Sequence, residues 1–291
     1  MIGGLIVMGV WYFFARKMRS LSLAEGRDGD ESFSYHHTAR VWAAAFLPFA
    51  GFSSAFIIWQ WVMSLDAHWY STMFAWYSGA SWFVSMIAMT LLVLIYLKSK
   101  GYYEQVTGEH IHDLGKFLFA FSIFWTYLWF SQYMLIWYAN VGEETVYFRH
   151  RLDNYPVLFY GNLLINFVFP FFVLMRNDTK RKLGSVGIVA VIVLFGHWWD
   201  YFLMIKPGAL HTAHELAGHG HHGGGHAEGH GDVVEHASHF VSGFTLPGLI
   251  EIGVFIGFLC AFLYVVYTRL ASAPLVSQRD PYLAESIHHH V

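Results

Sequence analysis

Few side chains in this sequence could carry a proton away from bulk water, and those few are regularly spaced. His197 and Asp200 stand three apart in Gly196-His197-Trp198-Trp199-Asp200. On a helix that spacing puts both on one face and within hydrogen-bonding reach of each other. Asp66 and His68 stand two apart in Ser64-Leu65-Asp66-Ala67-His68-Trp69, at the end of an apolar run, and Glu251 opens the last such run. Carboxylate, imidazole and carboxylate in series are the parts of a proton relay, because histidine titrates near neutral pH. Asp66, His68, His197, Asp200 and Glu251 are therefore the proton-transfer candidates. A plainer reading stands beside it. Asp66, His68 and Glu251 fall where an apolar run meets water and need no function there, whereas His197 and Asp200 lie deeper. Asn162 and Asn166, four apart, also share a helix face and suit hydrogen bonds that tie helices together.

The elements that must position these groups are long and apolar. The chain is 56% hydrophobic and 19% aromatic but only 13% charged, outside the range of soluble domains. Six runs, 41–65, 74–97, 117–139, 157–175, 186–205 and 249–267, approach or exceed the roughly 20 residues needed to cross a bilayer core. A seventh, 2–14, is too short unless cut at its start. No strand-like alternation supports a β-barrel. The expected fold is all-α: a polytopic transmembrane helical bundle with six full spans and one short N-terminal span. It divides into a short or truncated first span (1–20), the bundle (41–205), an outer His/Gly-rich loop (206–247), the last span (248–270) and a cytoplasmic tail (271–291). The start of the chain carries no secretory signal pattern.

Charge sets the orientation. With the N-terminus outside, fourteen Lys and Arg fall on one face and only Arg149, Arg151 and Lys206 on the other. The positive-inside rule makes the first face cytoplasmic. Segment 140–156 has enough structure-forming residues to fold over helix ends. In 207–247, Gly and His dominate; such tracts can bind zinc, nickel or copper, but a Gly-rich loop supplies no fixed geometry. The single cysteine, Cys260, excludes an internal disulfide or a thiolate metal cluster. Only His197 lies well inside a span, so no bis-histidine haem is expected. The stripe Phe119, Phe121, Phe124, Trp125, Trp129 and Phe130 reads as packing or lipid-facing surface. The inner half offers little polar chemistry: Ser85, Thr90 and Tyr96 on one span, and His112, Asp113 and Lys116 at the cytoplasmic surface. The net charge of −3 gives no sign of nucleic-acid binding.

Three stretches resemble a known family: DLGKFLFAFSIFWTYLWFSQYMLIWYANVGEET at 113–145, SLDAHWYSTMFAWY at 64–77 and FGHWWDYFLMIKPG at 195–208. They are similar to the membrane subunits of alternative complex III, a bacterial quinol:cytochrome c (or quinol:oxidase) oxidoreductase, within the NrfD-like membrane family. The last stretch looks like the F subunit rather than its larger paralogue, the C subunit. The resemblance implies a multi-pass subunit of the bacterial inner membrane, placed beside the quinol-binding C subunit. It also implies a multihaem cytochrome c subunit, an iron–sulfur subunit and small membrane anchors as partners, with a terminal oxidase as a further one. Haem c and iron–sulfur clusters would sit in those partners, menaquinol would be the substrate of the complex, and this chain would hold no cofactor, metal or catalytic residue of its own. Asp66, His68, His197 and Asp200 lie within the matching motifs. Family members usually have more helices before the first motif, which points to a truncated start or a shorter variant. Two other classes compete: an ion or metal transporter using the histidine-rich loop, and a purely structural anchor.

Overall fold

A computed structural model describes residues 2–29, 32–66, 69–219, 246–276 and 279–288. His68 and most of the histidine-rich tract lie outside the described residues. Among those described, every regular element is helical. The elements are α1 (Ile2–Asp28), α2 (Ser34–Trp61), α3 (Thr72–Ser99), α4 (Gly108–Ala139), α5 (Gly142–Asn154), α6 (Pro156–Leu163), α7 (Phe169–Leu174), α8 (Asn177–Arg181), α9 (Leu183–His219), α10 (Leu246–Ala271) and α11 (Leu283–Ile287). Short 3-10 and π turns, Met63–Leu65 and Leu164–Val168, extend α2 and join α6 to α7. Among the described residues, six helical stretches are long and apolar enough to cross a membrane: Ser34–Leu65, Thr72–Ser99, Gly108–Ala139, Pro156–Leu174, Leu183–Leu210 and Glu251–Ala271. A helix is the form these runs must take in lipid, because it satisfies its own backbone polar groups. The chain is thus an all-α, multi-pass helical bundle.

Two helices extend beyond the apolar runs read from the sequence. The first helix does not stop near Phe14 but runs 27 residues to Asp28. Arg16, Lys17 and Arg19 continue the helix beyond the apolar part, since straight-chain basic residues are good helix formers. Likewise α9 passes through Pro207 and reaches His219, well past the expected end at 205.

The dense part of the molecule is formed by α3, α4, the α6–α7 helix and α9. Leu91, Leu118, Val186, Val189 and Val193, from α3, α4 and α9, are fully buried. These residues lie toward the face rich in Lys and Arg, called the inner face here. The α1–α2 hairpin packs beside this core, with Trp11 against Trp82 and the Trp11 indole donating to Ser53 Oγ at 2.9 Å. The last span, α10, stands at the periphery. It touches the rest through Phe255 on Trp198, Tyr267 on Tyr96, and the Lys206–Glu251 ion pair. At the inner face the C-terminal tail runs back under the bundle. Arg279 donates to the carbonyl of Gly29 at 2.8 Å, and His110 meets the carbonyl of Ser286 at 3.0 Å.

On the outer side the segment 140–156 does fold over the helix ends. Asn140 closes α4 in the left-handed conformation, φ 49°, which asparagine tolerates better than most residues. Helix α5 then starts with Glu143 and Glu144 in its first turn, where carboxylates oppose the helix dipole. Its Tyr147, Phe148 and Arg151 turn inward and are buried.

Candidate functional site

Asp200 lies in the middle of this bundle with no exposed surface. Its carboxylate accepts hydrogen bonds from three other helices. Tyr77 of α3 donates through its hydroxyl to Oδ1, Asn162 of α6 donates to the same oxygen at 2.7 Å, and the Trp125 indole of α4 donates to Oδ2 at 3.2 Å. Three donors and no opposing cation make this a receptacle for a carboxylate, held by hydrogen bonds instead of by a salt bridge.

His197 lies one helical turn further inward on α9 and is also buried. It does not bond to Asp200, contrary to what the three-residue spacing suggests. Its Nδ1 lies 2.8 Å from Ser81 Oγ, one turn inward of Tyr77 on α3. The Trp125 ring packs edge-on against the imidazole, 5.4 Å between centroids. The two side chains share a face of α9 but turn to different neighbours, because α3 offers a partner to each. Asn166, one turn inward of Asn162, donates to Asn162 Oδ1 at 2.7 Å. That bond stays within one helix; of the two asparagines, Asn162 hydrogen-bonds across to α9 as part of the carboxylate's cradle.

The local backbone explains how Asn166 reaches this position. Pro170 has no N–H to offer the carbonyl of residue 166, and its ring crowds that carbonyl. The helix widens just before it into the π turn Leu164–Val168, with Asn166 at its centre. Gly196 lets α9 approach closely here: a Cβ at that position would collide with Asn166 and with Ile165.

Asp66 takes part in a second cluster, nearer the outer face. Its carboxylate is 3.7 Å from the guanidinium of Arg151, which is almost wholly buried. Arg151 donates to the carbonyls of Leu203 at 3.0 Å, Met204 at 3.0 Å and Tyr147 at 2.9 Å, and stacks 3.4 Å over the Tyr147 ring. Burial pushes the Tyr147 hydroxyl up to about 12, against the lowering effect of Arg151, so the phenol stays neutral. Between this cluster and the core lies a narrow cavity of about 10 Å³, room for one water, lined by Arg151, Gln132 and Tyr77 among others. Tyr77 is thus common to the cavity and the Asp200 cradle.

Glu251 stands apart, paired with Lys206 at 2.5 Å at the outer end of α10, and shares no partner with Asp200. Of the four candidates among the described residues, then, His197 and Asp200 adjoin one polar core, Asp66 lies behind Arg151, and Glu251 fastens the last span. Among the described residues no group of three or more His, Cys, Asp and Glu could hold a metal ion.

Tyr77, Ser81, Trp125 and Arg151 were not legible as site residues. Trp125 belongs to the stripe read as packing surface, yet it is fully buried and its indole is a donor to the carboxylate. A usable signal exists: Tyr77, Ser81 and Ser85 repeat at four-residue steps along a mostly apolar helix.

No family model matches this chain, and no curated protein matches it.

Proposed function

We propose that this chain is an integral membrane subunit of a respiratory quinol:cytochrome c, or quinol:oxidase, oxidoreductase. In this reading it packs beside the subunit that oxidises the quinol, and its core handles protons released there. The supporting observation is the buried Asp200 carboxylate within a lipid-crossing bundle, in a stretch that resembles the family's motif. Ionisable groups at such depth are costly and are retained where they act. Tyr77, the one-water cavity and Arg151 give this carboxylate an approach from the outer side. Electron carriers would reside in partner subunits, and menaquinol would be the substrate of the complex.

Purification in mild detergent tests the assembly. Co-elution with c-type haem absorbance and an iron–sulfur protein supports it, whereas a lone protein that moves zinc into liposomes overturns it in favour of a transporter. Asp200→Asn tests the role of the core. We expect the complex to assemble while quinol-linked turnover or proton release falls. Unchanged turnover and proton stoichiometry in that variant would reduce the chain to an anchor.

A further inference from the structure

The polar core is built in two layers, each taking one residue from each of four helices. The outer layer is Tyr77, Trp125, Asn162 and Asp200; the inner layer, one turn deeper, is Ser81, Ser122, Asn166 and His197. The steps are 77 to 81, 125 to 122, 162 to 166 and 200 to 197, each three or four residues, so the four helices keep the same faces turned inward. Ser122 shares a face of α4 with Trp125, whose ring lies against His197. Asn166 lies against Gly196, the residue next to His197.

The layers differ in how far their polar atoms are satisfied. In the outer one, each carboxylate oxygen and each donor named above is used within the protein. In the inner one, Ser122 Oγ, Asn166 Oδ1 and His197 Nε2 are all buried with no protein partner. Their three residues are 2%, 0% and 2% exposed. Natural proteins pair nearly all such atoms, with protein or with ordered water. The three differ in kind. An amide oxygen only accepts, a hydroxyl does either, and the imidazole nitrogen donates or accepts according to which nitrogen carries the hydrogen. Fully buried apolar residues, Leu91, Leu118, Val189 and Val193, close the bundle on the inner side of this layer.

We infer that the inner layer is a binding site for internal water, held by Ser122 Oγ, Asn166 Oδ1 and His197 Nε2 beneath the Asp200 carboxylate. Water matches the set because it can donate to the amide oxygen while accepting from, or donating to, the other two. An internal water commonly makes about three such bonds. A monovalent metal ion matches less well, since Asn166 presents the only carbonyl-type oxygen and the imidazole nitrogen is a poor ligand for it. The inference does not depend on the respiratory assignment: an anchor or a transporter with this bundle would contain the same site.

Magnetic resonance of the full chain in lipid bilayers, with ¹⁵N-labelled histidine, tests it. His197→Gln identifies the His197 signals by difference, and magnetisation transfer from water protons to Nε2 is then read in the unaltered chain. We expect clear transfer, reduced severalfold in Ser122→Ala while the Nδ1 signal facing Ser81 stays in place. No transfer to Nε2 in the unaltered chain means a dry layer and overturns the site. Transfer undiminished in Ser122→Ala overturns the assignment of the water to these three atoms. Should Ser122→Ala not fold, the unaltered chain still decides whether the layer is wet. A thermal midpoint raised by sodium over choline would point to a cation and overturn the choice of water; an equal midpoint supports it.

Discussion

At the scale of single residues, the Asp200 carboxyl and the Arg151 guanidinium, both deeply buried, are stabilised by opposite means. Asp200 is a carboxyl group surrounded by donors, and Arg151 is a cation surrounded by backbone carbonyls, with Asp66 a more distant and partly exposed partner. Arg151 therefore depends more on its fork of N–H groups than on its charge, and lysine cannot reproduce that fork. Arg151→Lys should lose about 3 kcal/mol, the scale of a pair of buried carbonyls left without donors. Asp66→Asn should lose less, about 1 kcal/mol, because the pair is long at 3.7 Å and Asp66 keeps some contact with solvent. Thermal or denaturant unfolding of the full chain in detergent compares them, and a larger loss for Asp66→Asn would show that the ion pair dominates. Residue spacing alone could not reveal this arrangement. It singled out Asp66 because a carboxylate near a membrane stands out, and passed over Arg151 because nothing local distinguishes it from Arg149. Their difference arises only when α5 folds back, burying one arginine and leaving the other on the surface beside Asp153.

At the scale of elements, prolines decide where the bundle's helices need outside help. Pro207 lies inside α9 and cannot donate to the carbonyl of Leu203, four residues earlier. That carbonyl is the one Arg151 Nε bonds at 3.0 Å, so a residue from the neighbouring α5 replaces the missing backbone donor. In lipid such replacement is what allows a proline to sit within a long helix. The consequence is a coupling between two residues far apart in sequence. Replacing Pro207 by alanine returns an N–H to Leu203, after which Arg151→Met should cost about 1 kcal/mol less than it does alone, the net value of one hydrogen bond. A double-mutant cycle on the unfolding free energy measures the term. Strict additivity would mean that the Leu203 bond contributes nothing. Apolar run length made the six spans readable from the sequence, because run length is the physical requirement for crossing. It marks spans and not helix ends, so α1 and α9 run on past theirs, because helices continue into water wherever their residues favour them. It also missed the two-layer core, since polar residues at helical spacing give no indication of which helices will face each other.

At the scale of the whole molecule, the distribution of charge bears on how the bundle lies in its membrane. All three basic residues assigned to the outer face have a carboxylate beside them: Arg149 with Asp153 at 3.5 Å, Arg151 with Asp66 at 3.7 Å and Lys206 with Glu251 at 2.5 Å. The inner face carries fourteen Lys and Arg, among them the run Lys180-Arg181-Lys182 in the short connection that leads into α9. Basic residues in short connections resist translocation, and that fixes orientation during insertion. In the proposed reading this orientation sets the side from which Asp200 is reached, because Arg151 and the small cavity beside it lie between Asp200 and the face that is poor in basic residues. The single cysteine allows a direct test, since Cys260→Ala leaves a background without thiols. Arg149 and Lys182 are both exposed and lie outside the spans on opposite faces. In that background, Arg149→Cys should react with a membrane-impermeant maleimide in intact cells once the outer barrier is opened. Lys182→Cys should react only after the cell membrane is disrupted. The reverse pattern would put Arg151 and its cavity on the cytoplasmic side, and the proposed proton handling at Asp200 would then have to be fed from there.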